Sequence, residues 1–259
     1  MRDDVLRITN SRNEPIIEGR IAIINGASSG IGRVIAESLL ENGVCISATY
    51  NKNPGIIDQL KEKYGKPKII SFQIDFLSDN YEELIQKIIN ETKNQWGKID
   101  ILINISGIWL VKPFLYETRD EIEQVWRINY WAPYSFIKKT VPHMMEIGGQ
   151  IVNIASTAGV KGSGHQVTYC ASKAALINLT ESLAEEFAAR NIRINVISPG
   201  PTNTYALNKY LDETAKTLLV KRTPLNRLCE PLDVANAVLH ILTNDYLTGV
   251  NVLLHGGRL

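Results

Sequence analysis

Short apolar runs alternate with longer segments of helical periodicity along almost the whole chain, and no other feature limits the possible folds as much. The runs at 20–25, 44–50, 68–74, 99–104, 149–156, 192–197 and 250–254 have the length of buried strands. Between them, 31–42, 80–96, 118–146, 167–190 and 231–243 carry apolar residues at helical spacing. Strand and helix in turn are the pattern of βαβ units, whose crossovers give parallel strands with helices on both faces. The expected fold is α/β, a single doubly wound, parallel, seven-stranded sheet. With 259 residues, 44% of them hydrophobic, the chain can fill the core of one such sheet. No Pro/Ser/Gly-rich linker, internal repeat or low-complexity tract divides it. We read 19–259 as one domain, preceded by a polar arm over 1–18.

Charge and cysteine content exclude several classes of function. Lys and Arg number 28 against 27 Asp and Glu, a net charge of +1, so there is no basic field for nucleic acid. Cys45, Cys170 and Cys229 form no C-x-x-C pair and have no His at ligand spacing, so neither a disulfide framework nor a metal site is expected. The N-terminus lacks an apolar signal region, and no stretch approaches the ~18 apolar residues of a membrane span. A small-molecule enzyme in a reducing cytoplasm is expected, with no membrane partner.

The first strand candidate runs into Asn25-Gly26-Ala27-Ser28-Ser29-Gly30-Ile31-Gly32-Arg33 and then a helix. Glycines let a backbone turn tightly and approach a pyrophosphate, while a helix N-terminus offers unpaired N–H groups and partial positive charge. Gly26, Ser28, Ser29, Gly30, Ile31 and Gly32 are therefore the expected dinucleotide loop. Their spacing, Gly-x-x-x-Gly-x-Gly, departs from the general Gly-x-Gly-x-x-Gly fingerprint. A glycine turn of purely structural use is the alternative.

Tyr169 and Lys173 lie four residues apart and so share a helix face. A phenol titrates near ~10, too high for acid/base work at neutral pH. Two unit charges ~4 Å apart at an effective dielectric of ~20 interact by about 4 kcal/mol, so a charged Lys173 is expected to draw Tyr169 down by roughly 2 to 3 pKa units. Such a pair suits proton exchange with an alcohol oxygen. Ser156, thirteen residues upstream at a strand end, lies at the carboxyl edge where ligands of open α/β sheets bind.

Taken together, Gly26-x-x-x-Gly30-Ile31-Gly32, Asp75, Asn104-Ile105-Ser106-Gly107, Asn129, Ser156, Tyr169-x-x-x-Lys173 and Pro199-Gly200 resemble the short-chain dehydrogenase/reductases, in order and in spacing, over about 19–257. The resemblance implies a Rossmann fold and an NAD(P)-dependent oxidoreductase. It makes Tyr169 the acid/base, Lys173 its partner and ribose ligand, Ser156 the holder of the substrate oxygen, and Asn129 the residue that positions a water on the proton path. It further implies that Asp75 accepts from the adenine amine, with Phe76 beside it. Asn104, Ser106 and Gly107 would pack on the adenosine, and Pro199, Gly200, Thr202 and Thr204 would lie along the nicotinamide and pyrophosphate. For Asp75 a helix cap is the alternative; for Asn129 it is a polar residue at a helix kink. Asn25 stands where the family usually has Thr, and Ile105-Ser106 where it has Asn-Ala, which removes one side-chain hydrogen bond from that loop.

The end of the second strand decides the nicotinamide. An acid there would bind the ribose hydroxyl of NAD and repel a 2′-phosphate, but the chain reads Tyr50-Asn51-Lys52. NADP(H) is therefore favoured over NAD(H). The resemblance is closest to 3-oxoacyl-acyl-carrier-protein reductases and similar ketoreductases. It implies reduction of a ketone, either a small molecule or an acyl thioester, under a lid over about 201–224, with His165 and Gln166 facing the pocket. An alcohol or sugar dehydrogenase working oxidatively, and a non-catalytic nucleotide sensor, stay open. A homodimer or homotetramer through 118–146 and 167–190 is implied as well, with Leu176, Leu179, Leu183 and Phe187 facing either that interface or the core.

Overall fold

The computed structural model describes Thr9 and residues 16–258. Seven strands form one sheet: β1 (Ile21–Asn25), β2 (Cys45–Tyr50), β3 (Ile69–Gln73), β4 (Ile101–Asn104), β5 (Gly149–Ile154), β6 (Ile192–Pro199) and β7 (Asn251–Leu254). Their spatial order is β3-β2-β1-β4-β5-β6-β7, and every pairing is parallel. The order in which strands are added reverses between β1 and β4. Connections leave the sheet on opposite faces there, which opens a crevice at the carboxyl ends of the strands.

Successive strand side chains point to opposite faces, and the strands supply apolar residues to both. Ala22, Ile24, Ile101, Ile103, Val152 and Ile154 pack with Ile35 and Leu39 of α1 (Gly30–Glu41) and with Val234, Val238 and Leu239 of α9 (Pro231–Thr243). On the opposite face, Ile23, Leu102, Ile151 and Ile194 meet α3 (Tyr81–Trp96) and α5 (Ala132–Met144) through Ile85, Ile88, Phe136 and Val141. Near-continuous apolar strands are what a sheet covered on both faces requires.

Several details differ from the sequence expectation. A short helix, α2 (Ile57–Tyr64), lies between β2 and β3 and was not expected. The segment 118–146 is not one regular helix: α4 (Arg119–Trp126) passes through a π-helical turn, Arg127–Trp131, into α5. Most of the expected N-terminal arm lies outside the described residues. Within its described end, Ile17 is fully buried in the α1/α9 core instead of lying on the surface. In α6 (Val167–Phe187), Leu176 is buried, and Leu179, Leu183 and Phe187 pack against the core. The last three stay half-buried. The segment expected to form a lid contains two helices, α7 (Tyr205–Tyr210) and α8 (Glu213–Lys221).

Candidate active site

The turn from β1 into α1 is built for close approach of backbone to backbone. Gly26 and Gly30 have φ of 91° and 53°, which side-chain-bearing residues rarely adopt. A Cβ on Gly32 would collide with the carbonyl oxygen of Gly26, and one on Gly26 would lie 2.6 Å from Ser106 Oγ. Ser29, the N-cap of α1, makes no side-chain cap, and the first turn holds no acid. The N-terminal amides and dipole of α1 are thus left to an anion, which is how these residues fit a dinucleotide pyrophosphate. Thr204, the N-cap of α7, reaches over this turn, with its methyl 3.5 Å from where a Gly30 Cβ would stand.

Beside the turn, Tyr50 is half-buried and Asn51 and Lys52 are exposed. The Gly55 N–H donates to Asn53 Oδ1 (2.8 Å), and Gly55 packs against the Ser28 carbonyl, folding this loop onto the glycine turn. Asp75, past β3, accepts from the Leu77 N–H at 3.0 Å in an Asx turn. It does not cap α3, whose N-cap is Asn80. Its carboxylate is exposed, as an adenine amine requires. Phe76 is different. Its ring is buried edge-on to Tyr81 and Phe136, so only its backbone can face a cofactor.

Asn25, Asn104 and Asn153 are register partners on β1, β4 and β5, and their amides form a buried ladder. Asn104 Nδ2 donates to Asn153 Oδ1 (2.9 Å), and Asn153 Nδ2 donates to Thr180 Oγ1 on α6 (2.9 Å). At the other end, Ser106 Oγ donates to Asn25 Oδ1 (2.6 Å), while the Ile105 and Ser106 N–H groups both reach the Asn25 carbonyl. The Asn104 and Ser106 side chains therefore hold the loop in place and offer their backbone, not their amide or hydroxyl, to an adenosine.

Asn129 lies in the π-helical turn and is fully buried. Its Oδ1 accepts from the Ile108 N–H (2.8 Å), and its Nδ2 donates to the Ile108 carbonyl (3.0 Å) and to Ser172 Oγ (3.1 Å). At Gly107 the space a Cβ would fill is bordered by Lys173 Nζ at 3.2 Å and Asn129 Oδ1 at 3.3 Å. The structure thus joins Asn129, Lys173 and the β4 loop around one glycine. Ser156, just past β5, accepts from the Ala158 N–H (3.2 Å) and stands close enough to the Tyr169 hydroxyl to lower its pKa. Lys173 is 3% exposed and donates to the Ile154 carbonyl at 2.9 Å.

A family model described as enoyl-(acyl carrier protein) reductase matches residues 26–258. The chain is 32% identical to the 3-oxoacyl-[acyl-carrier-protein] reductase of Haemophilus influenzae over 246 residues, covering 93% of this chain and 98% of that one. The protein is a short-chain dehydrogenase/reductase. Among solved structures, that of a short-chain dehydrogenase/reductase from Brucella melitensis, titled glucose/ribitol dehydrogenase, superposes with a TM-score of 0.86 at 28% identity, covering 93% of this chain and 96% of that one. ElxO with NADP bound superposes with a TM-score of 0.84 at 29% identity, covering 92% and 98%. The protein is accordingly an oxidoreductase that uses a nicotinamide dinucleotide.

In this short-chain dehydrogenase/reductase, burial governs the two central groups. It raises the Tyr169 pKa above 10.0, opposed by the nearby Ser156 hydroxyl, and it lowers Lys173 from 10.5 to about 8. The expected downward pull of Lys173 on Tyr169 is not what the structure shows: the ammonium is engaged with the Ile154 carbonyl, and desolvation of the phenol prevails. Ser156 and Tyr169 line a cleft of about 580 Å³, together with Pro199, Gly200, Thr202 and Thr204. Thr202 Oγ1 donates to the Gly200 carbonyl (3.0 Å) and so stiffens the turn after β6. Gln166 also lines the cleft and accepts from Trp109 Nε1 at 2.9 Å, whereas His165 is exposed, and its carbonyl receives the Lys112 N–H. Sequence reasoning missed Trp109, whose ring meets Tyr210 of α7 edge-on at 5.4 Å, and the cleft residues Lys161 and Arg258. A bulky aromatic two residues past Gly107 was the one available signal for the first. For the other two there was none.

Proposed function

We propose that the protein reduces a ketone to a secondary alcohol with NADPH, with Tyr169 as the proton donor. The observation that carries this reading is that Ser156 and Tyr169 line one cleft, close enough for Ser156 to lower the Tyr169 pKa, at the sheet edge that also carries the glycine turn. When bound, the nicotinamide supplies the hydride. Negative charge then builds on the carbonyl oxygen, and two hydroxyls fixed on that oxygen stabilise the transition state more than the ground state. Burial keeps Tyr169 protonated through neutral and mildly alkaline pH, which suits an acid and favours reduction over oxidation. Ser156 orients the Tyr169 hydroxyl and holds the substrate oxygen. Lys173, beside Gly107 and Asn129, binds the ribose, and Asn129 fixes the turn through which the proton is replaced.

The residues for the cofactor are Gly26, Ser28, Ser29, Gly30, Ile31 and Gly32 for the pyrophosphate and Asp75 for the adenine, with the backbones of Phe76, Asn104, Ser106 and Gly107 around the adenosine. Pro199, Gly200, Thr202 and Thr204 serve the nicotinamide side. NADPH is preferred because Tyr50, Asn51 and Lys52 present no acid to a 2′-phosphate and one cation to attract it; the similar protein ElxO binds NADP. Helices α7 and α8 form the lid. The protein works as a homodimer or homotetramer in a reducing cytoplasm, where its three free thiols are stable. Among the described residues no helix is long and apolar enough to cross a membrane.

Tyr169→Phe tests the assignment. Ketone reduction is expected to fall about 10²–10⁴-fold while NADPH affinity, titrated by nucleotide fluorescence, is kept. Lys173→Ala is expected to lose both. A Phe variant that reduces a ketone panel at the parent rate would rule out Tyr169 as the donor.

A further inference from the structure

The mouth of the cleft carries a feature that ketone reduction alone does not need. Trp109, Leu211, Leu218 and Leu219 make its walls apolar, and no Asp or Glu lines it, yet Lys161 and Arg258 both do. The whole chain has a net charge of only +1, so these two cations do not reflect a generally basic surface. We propose that the ketone substrate carries an anionic group, held by Arg258 with Lys161, while its carbonyl lies at Ser156 and Tyr169. The inference rests on the ketone-reductase reading of the same cleft.

Arg258 is placed there by a built turn. After β7 ends at Leu254, Gly256 and Gly257 take φ of 58° and 87°. A Cβ on Gly256 would lie 2.7 Å from Thr223 Cγ2, and one on Gly257 would lie 2.8 Å from Pro224 Cγ. Only glycines pass this close under the end of the lid segment. The turn is locked by the Gly257 N–H donating to His255 Nδ1 (3.0 Å) and the Arg258 N–H donating to the His255 carbonyl (2.9 Å). Its outcome is that Arg258 lines the cleft. Among the described residues its guanidinium has no ion pair and no side-chain hydrogen bond, in contrast to Arg227, which grips Asp233 through two nitrogens. A planar fork of donors between apolar walls is a receptor for carboxylate, sulfate or phosphate, and the low-dielectric walls strengthen its field.

Two matched pairs test this and separate the sources of the charge. A 3-oxo acid is compared with its methyl ester, and a 3-oxoacyl-coenzyme A with the same acyl group on N-acetylcysteamine. In at least one pair the parent is expected to favour the anionic member in kcat/KM by about tenfold or more, the size of one charge-assisted hydrogen bond. Arg258→Gln is expected to collapse that ratio toward one, and Lys161→Gln to lower it. A parent without preference in either pair overturns the proposal. So does an Arg258→Gln variant that keeps the ratio but loses NADPH affinity, since the arginine would then serve the cofactor. Calorimetry of the corresponding hydroxy acid and hydroxy ester on the NADP-loaded protein reads the same preference without turnover. Absence of any ketone turnover therefore counts against the reductase reading, and equal affinity of acid and ester counts against the anion site alone.

Discussion

Burial pulls Tyr169 and Lys173 in opposite directions, since it disfavours the charged form of each, and the consequence for Lys173 can be measured in the protein's stability. The Lys173 pKa falls from 10.5 to about 8, which corresponds to a cost on the order of 3 kcal/mol when the folded protein holds the lysine charged. Between pH 8 and 10.5 the unfolded chain binds the extra proton, so stability rises with pH across that window. Denaturant unfolding of the parent and of Lys173→Met should show the parent gaining about 2 to 3 kcal/mol on the variant from pH 7 to pH 10.5. A gap that does not change with pH would mean that Lys173 is not desolvated. Asn25 and Ser106 show where legibility ends at this scale. Each departs from the family pattern and is visible as such in the sequence. That the two departures answer one another through a 2.6 Å hydrogen bond is a fact of the tertiary fold, because 81 residues separate them. The same holds for the pKa of Tyr169: helical spacing put a lysine beside it, but only the packed structure shows where the ammonium is engaged.

The strand–turn–helix unit of β1 and α1 was legible almost to the residue, because its glycines are forced by contacts inside the unit. Gly32 is the sharpest case. An added Cβ would meet the Gly26 carbonyl, and neither partner is a flexible side chain that can move aside. Gly32→Ala should therefore open the turn, weaken NADPH binding by at least about tenfold and destabilise the fold by roughly 1 to 3 kcal/mol. Nucleotide fluorescence titration checks the first and denaturant unfolding the second; parent-like affinity would show that the turn does not cradle the cofactor. Two other elements were not legible. Helix α2 follows Asn53-Pro54-Gly55 and is only 8 residues long, with just Ile57 and Leu60 buried, too few to set a period against the loop signal before it. The π-helical turn at Arg127–Trp131 leaves the apolar pattern of 118–146 helical on both sides. Its extra residue is detectable only through what it does, which is to turn Asn129 inward onto Ile108 and Ser172.

At the scale of the molecule, the alternation of strands and helices fixed a parallel sheet, but strand order is set by long-range packing and is not written in any local pattern. The faces of the long helices posed the same difficulty. Of the α6 leucines, Leu176 is buried in the core while Leu179 and Leu183 pack against it half-buried, and α4 and α5 carry an aromatic strip. Trp126, Tyr130, Trp131 and Tyr134 form a chain of ring contacts from α4 through the π-helical turn into α5, with centroids 5.1 to 6.0 Å apart, and Trp131 is 48% exposed. An exposed Trp131 flanked by the half-buried rings of Trp126, Tyr130 and Tyr134 has the composition of an interface core, and a stable pairing needs about 800 Å² from each partner. Light scattering of the purified protein at micromolar concentration is expected to give a dimer or tetramer, and Trp131→Glu is expected to shift it toward monomer, because a carboxylate at the centre of such a patch would have to be desolvated. The cleft lies at the carboxyl edge of the sheet, whereas Trp131 is on the flank, so the split protein should still bind NADPH. A parent that is monomeric across the concentration range would show that the aromatic strip does not join two copies.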